Sequence, residues 1–374
     1  MELKCSSKEL SNALNAVLPI AQMSSSATSG LTGDIAIIAD SETETLSIKA
    51  LGIDASIEKN IHAEIEKSGT TKVNCKMFAD YIKKITDTPY VALSTDGGYL
   101  NIKFDKNRTK IVETATQIAN LELEIANGTF VGSLTAKDLK KLVSDTTYCS
   151  LPNDTRLLLK CCNLVSATGK IETICLDGFR LAHSECVCDN VVGDMNILVL
   201  VKTLTSIAPA FGDDEIISIT YNDKFISFVS KTTKILITRV DSEPFALNKF
   251  MRQVSPNHIF SIDKKAIKNS IDRLTIICNS STAQNLVKLE FRATGVQITA
   301  TAEKADTVEY IPCECIDGTP DIEIKLNARY LLDAISHIDN DNIVMILTDN
   351  RTGVVISSDE YYTDKAWGLV LPLR

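Results

Sequence analysis

Two cysteine pairs, Cys186-x-Cys188 and Cys313-x-Cys315, are the first places where this sequence could hold chemistry. In a strand, C-x-C spacing sets both thiols on one face, a start toward a zinc site. Such a site needs four ligands, and no further His or Cys set accompanies either pair, so neither a metal nor a cofactor is expected. Cys162 with His183 would supply a nucleophile and a base. Among eleven cysteines and four histidines such a pair arises readily by chance. A cytosolic cysteine hydrolase on a repeated α+β scaffold stands as the alternative function. No GxGxxG or Walker pattern occurs, and the carboxylates of DNDN (Asp339 to Asn342) and LTDN (Leu347 to Asn350) read as turns.

The elements that would position these residues repeat. KCSSKELSNAL from Lys4, GSLTAKDLKKLV from Gly132 and FSIDKKAIKNSI from Phe260 each read as strand, cap and helix. The caps are Ser6, Thr135 and Asp263, spaced 129 and 128 residues apart. Their side-chain oxygens suit the free N–H groups of a helix start. A second series begins KVNCKMFADYIKKI from Lys72, LVLVKTLTSIAPAF from Leu198 and IKLNARYLLDAISHI from Ile324. Between the helices lie period-2 strand sequences such as FISFVSKTTKILITRV. The chain therefore reads as three α+β domains, 1–127, 128–253 and 254–374, each with two helices covering antiparallel sheets.

A composition 44% hydrophobic and 23% charged is globular rather than disordered. MELKCSSKEL has no apolar signal core, no apolar run approaches ~20 residues, and the cysteines are odd in number. A cytoplasmic chain with reduced thiols is expected. The net charge of −9 argues against nucleic acid until its distribution is considered. The six helix segments carry thirteen basic and seven acidic residues, so they are net positive inside an acidic remainder. Six such helices facing one space would suit a polyanion held without base reading.

Four stretches then carry a family likeness: ICLDGFRLAHSE from Ile174, TRVDSEPFALNKFM from Thr238, NARYLLDAISHIDNDNIVMILTDNRTGVVI from Asn327, and the apolar tail LVLPLR. Over essentially its full length the chain resembles the bacterial DNA polymerase III beta subunits, the sliding clamps. The resemblance implies a ring of two head-to-tail chains, each of three clamp domains, with helices inside and sheets outside. It implies a non-catalytic processivity factor, encircling duplex DNA in the cytoplasm at the nucleoid and held by topology. It also implies short-peptide partners: the replicative polymerase, the clamp loader and repair polymerases or ligase-type proteins.

Carried over residue by residue, the resemblance places a peptide pocket at Leu159, Leu176, Gly178, Phe179, Arg180, Leu181, Phe245, Lys249, Phe250, Leu369, Leu371, Pro372, Leu373 and Arg374. There Gly178 would let the backbone approach closely, and Arg180 and Arg374 would meet polar or acidic peptide groups. Phe179 stands where relatives often have histidine, and Glu243-Pro244-Phe245 inverts the usual Phe-Pro order. DNA-facing candidates are Lys8, Lys76, Lys83, Lys137, Lys141, Lys202, Lys264, Lys268 and Arg329, with Asn153 and Arg156 on the SLPNDTR loop. Leu157 and Leu158 replace aromatics of some relatives, and AQMSSSATSG lacks a common arginine. Ring closure is placed at Ile276, Ile277 and Ile111, with Lys106 and Arg108 on one edge facing Glu303 and Asp306, near Glu309, on the other.

Overall fold

A computed structural model describes residues 1–23, 33–114, 127–167, 169–188, 190–245, 247, 251, 254–279, 285–359 and 366–373. Lys249, Phe250, Arg374 and most of AQMSSSATSG lie outside them.

The six expected helices form. They span Ser7–Met23, Cys75–Ile82, Ala136–Thr147, Val201–Ile207, Lys264–Cys278 and Ala328–Ser336. Capping explains their starts. Thr135 accepts from the Asp138 N–H, Asn74 from Met77 N–H and Asp263 from Ala266 N–H. Asn327 accepts from both Arg329 and Tyr330 N–H groups, whereas Leu200 caps with no side chain. Each helix buries one stripe, such as Leu10, Leu14, Val17 and Ile20 in the first.

The strands alternate as their sequences require; Leu46, Ile48 and Ala50 point inward between half-buried polar neighbours. All ladders are antiparallel, in sheets of five, eight and twelve strands. These sheets are not confined to single repeats. Ala55–His62 pairs with Thr233–Thr238, with Ile57 opposite Ile235, and so joins the first repeat to the second. Arg180–Val187 pairs with Ala366–Val370, with Leu181 opposite Leu369, and joins the second to the third. Each joint pairs a middle strand of one repeat with the last strand of the next.

The tail has counterparts. Thr114 N–H donates to Lys72 O at 2.8 Å, Val240 N–H to Leu198 O at 2.8 Å, and Leu373 N–H to Lys325 O at 2.8 Å. In the first two repeats the departing linker covers an edge strand, and in the third the C-terminal tail does so. Pairing an exposed strand edge blocks its use as an aggregation template.

Candidate functional site

Three places combine the residues singled out above. The first lies at the joint between the second and third repeats. Ile174, Leu181, Val254, Ile259, Val344, Ile346, Val355, Trp367 and Leu369 form one apolar cluster, with Leu176, Phe245, Leu247 and Met251 packed partly against it. Of the expected pocket residues, this gathers Leu176, Leu181, Phe245 and Leu369. Leu371 sits beside them, its N–H donating to Phe179 O at 2.8 Å. Pro372 and Leu373 lie instead against Glu323, Ile324, Lys325, Asn350 and Arg351, around a cavity of ≈ 280 Å³. Leu159 is buried in the turn Leu157–Lys160 and is not a member of the cluster. Sequence reading missed Val344, Ile346 and Val355, although the apolar run NIVMIL signals a strand buried on both faces.

The turn beside this cluster bears on two expected roles. Gly178 has φ 93, and a Cβ there would meet nothing within 4 Å. The left-handed backbone itself calls for glycine. Asp177, 1% exposed, accepts from Phe179 N–H at 2.9 Å and Arg180 N–H at 3.0 Å. Arg180 is not free to meet a peptide. Its Nε donates to Asp177 at 2.8 Å, one terminal nitrogen to Asp333, and the other to Tyr148 O at 2.9 Å. The guanidinium also lies over the Tyr330 ring at 4.3 Å. Phe179, by contrast, is 56% exposed.

The second place is a row of helices. Cys75–Ile82 packs on Ser7–Met23, which meets Val201–Ile207, which meets Ala136–Thr147. The row continues to Ala328–Ser336 through the ring stack of Tyr148 on His337 and the ion pair of Lys141 with Asp339, then to Lys264–Cys278. Lys8, Lys76, Lys83, Lys137, Lys202 and Arg329 are exposed along it. Others are engaged within the chain. Lys141 binds Asp145 at 3.2 Å and Lys264 donates to Ile338 O and Ser336 O, while the exposed Arg329 also donates to Asn279. Lys268 is half-buried. Asn153 and Arg156 are exposed on their loop, where the Arg156 side chain folds back on Asp154 at 3.0 Å and holds that carboxyl at about 2.

The third place is a pair of strand edges. Asn107–Val112 ends the five-stranded sheet, and Ala305–Ile311 pairs on one side only, with Gly295–Ala302, among the described residues. Lys106, Arg108, Glu303 and Asp306 are exposed there, and Ile276 is 78% exposed. Ile277 is only half exposed and packs on the third core. Ile111 is buried in its own core, and Val112, 63% exposed, is the apolar side chain that edge offers. Glu309 is already paired with Arg273.

The hydrolase arrangement fails on register. Asn163, Ile174 and His183 form one cross-strand row, and Cys162, next to Asn163 along its strand, lies in the adjacent row opposite Val199. Adjacent rows point to opposite faces of the sheet, so thiol and imidazole cannot meet. Glu172, His183 and Glu185 bring donor atoms within 4.8 Å of one another. Lys170 already bridges the two carboxylates, at 2.5 and 2.9 Å. Hydrogen bonds from His183 and Lys170 outweigh burial and hold Glu172 at about 2.

Comparison with known proteins completes these observations. Residues 254–374 match the family described as DNA polymerase III beta subunit, C-terminal domain, and residues 1–120 match its N-terminal domain. The beta sliding clamp of Synechococcus elongatus is 20% identical over 365 residues, covering 96% of this chain and 95% of that protein. The beta sliding clamp of Staphylococcus aureus is 21% identical over 351 residues, 88% of each chain. Among solved structures, a putative DNA polymerase III beta subunit from Eubacterium rectale superposes with a TM-score of 0.86 at 21% identity, covering 100% of both chains. A DNA polymerase sliding clamp from Pseudomonas aeruginosa gives 0.88 at 17% identity, also covering 100% of both chains.

Proposed function

We propose, from the premise that this chain belongs to the DNA polymerase III beta-subunit family, how its geometry does a sliding clamp's work. The protein is a non-catalytic polymerase accessory subunit, a processivity factor. In this reading two copies close head to tail around duplex DNA, each supplying three domains, 1–127, 128–253 and 254–374. The observation that carries the reading is the joint pattern. Two of the three joints a six-domain ring repeats are formed within the chain, and the strand edges for the third are left open, at opposite ends.

The repeat supplies the register of the missing joint. Asp34 faces Asn74 and Leu286 faces Asn327, so Leu51 corresponds to Thr301; Leu51 faces Ser56 and Thr301 faces Asp306, which makes Ser56 equivalent to Asp306. Phe225 faces Thr238, and Tyr99 faces Val112, which makes Leu236 equivalent to Lys110. Ser56 faces Leu236 in the first joint, so Asp306 faces Lys110 of the second copy. Opposite charges at this position favour the head-to-tail pairing over like-edge pairing.

Exposed lysines along the helix row attract phosphates weakly and without register, since screening acts over ~8 Å. Arg180 now serves as the lock of the second joint, and the apolar cluster beside it takes short peptides of the polymerase, loader and repair proteins. Burying two or three apolar anchors at ~1.5–3 kcal/mol each, less ordering costs, gives roughly micromolar exchange. The work is placed in the cytoplasm, on the nucleoid. The test is stimulation of a cognate polymerase on primed circular DNA, unaffected by iodoacetamide. No stimulation, with the loader active on another clamp, rejects the function.

A further inference from the structure

The two C-x-C pairs share a spacing, and the fold treats them differently. The Cys186 and Cys188 sulfurs lie 3.5 Å apart at the end of the strand Arg180–Val187. The Cys315 thiol donates instead to Asp317 O at 3.6 Å and Gly318 O at 3.9 Å. Backbone bonds fix Cys188 in place: its N–H donates to Gly169 O at 2.8 Å, and Val191 N–H donates to Cys188 O at 3.2 Å.

Residues two apart on a strand have Cα atoms ~6.6 Å apart. That lies within the ~4.4–6.8 Å that a disulfide spans, and the two sulfurs need to approach by only about 1.5 Å to bond. Access also separates this pair from the other thiols. Cys149, Cys162 and Cys175 have no exposed surface, whereas Cys186 and Cys188 are 8% and 7% exposed and flank Val187, itself 61% exposed. A small reagent reaches the end of this strand before it reaches the core.

We propose that Cys186 and Cys188 are a modification site for low-molecular-weight disulfides, which oxidise them to an intramolecular disulfide. One thiolate attacks the reagent, forming a mixed disulfide and releasing one thiol. The second thiolate attacks the protein sulfur of that mixed disulfide, so the Sγ–Sγ bond forms and the reagent's other thiol leaves. The protein loses two S–H bonds, and two electrons and two protons pass to the reagent. This chemistry does not depend on the clamp function.

Closure acts on a tight contact. Val192 and Gly193 N–H groups both donate to Val131 O, at 2.9 and 3.1 Å, and so cover Thr129–Thr135, the strand at one edge of the eight-stranded sheet. A Cβ on Gly132 would sit 2.7 Å from Val191, and one on Gly193 2.8 Å from Phe130 O. With no slack there, drawing Cys188 toward Cys186 shifts the cover and loosens those two bonds.

The test incubates the native full chain with hydroxyethyl disulfide, alkylates it with iodoacetamide in urea and digests it with trypsin. Cleavage after Arg180 and Lys202 gives a peptide, 181–202, whose only cysteines are Cys186 and Cys188; the peptide 305–325 holds Cys313 and Cys315 in the same way. Peptide 181–202 is expected to lack two hydrogens and both alkyl groups, and to take up both after dithiothreitol. Peptide 305–325 is expected to stay unlinked, its thiols alkylated or carrying half of the reagent. In Cys188→Ser, Cys186 should keep the mixed disulfide; should that variant not fold, the two peptides of the unaltered chain decide. A fully alkylated 181–202, a lasting mixed disulfide within it, or equal linkage in 305–325 overturns the site. On oxidation the Val192 and Gly193 amides should exchange at least ~fivefold faster, and unchanged exchange overturns the transmission to the strand edge.

Discussion

Arg180 shows what a single residue does here that its sequence context hides. Within RLAHSE it resembles a surface arginine beside a pocket, yet its side chain is 10% exposed and spans three elements. Its partner Asp333 lies 153 residues away, a separation no local pattern reveals. Removing one member of such a buried pair strands the others. Arg180→Ala is expected to lower stability by ~3 kcal/mol in urea denaturation, and a loss under ~1 kcal/mol contradicts the role. The sequence suggested reduced thiols, scattered and without a ligand set. Burial pushes the Cys5, Cys75 and Cys149 thiols up to about 12. At pH 8 these three should resist iodoacetamide in the native protein and react in urea, as intact mass would show. Rapid native alkylation of Cys149 would contradict that burial.

At the scale of elements, helix starts were legible because capping is local. Thr135, Asp263, Asn74 and Asn327 each reach an N–H two or three residues away. Strand alternation was legible for the same reason. Strand partners were not, since Ile57 meets Ile235 and Leu181 meets Leu369 across long stretches of chain. That distance is why the sequence suggested three domains but not the sheets that run across them. The resemblance placed Ile111 at the interface, yet on its strand Ile111 faces the core and Val112 faces outward. The open edges make a paired test. Lys110→Glu should weaken self-association at least tenfold in sedimentation, and adding Asp306→Lys should restore it. If the double variant stays as weak as the single one, the register is wrong.

At the scale of the whole molecule, the two joints within the chain are unequal. The second is locked by Arg180, the Tyr148–His337 stack and the Lys141 triad, while the first leaves its equivalent space open. Without the ring stack and the ion triad, the first joint should open more often. Amides of Thr233–Thr238 paired to Ala55–His62 are expected to exchange ~tenfold faster than those of Ala366–Val370 paired to Arg180–Val187. Equal or slower exchange at the first joint would contradict this. The threefold repeat and the helix charges were readable from sequence, because duplication preserves spacing and caps. The inequality of the joints was not, because it lies in contacts between repeats.

The most direct measurement is retention on DNA. Protein loaded by its cognate loader onto nicked circular plasmid should stay bound through gel filtration in high salt, and should be lost when one restriction cut makes the plasmid linear. Release from the circle at that salt, or retention on the linear DNA with its ends unblocked, would show that affinity rather than enclosure holds the protein.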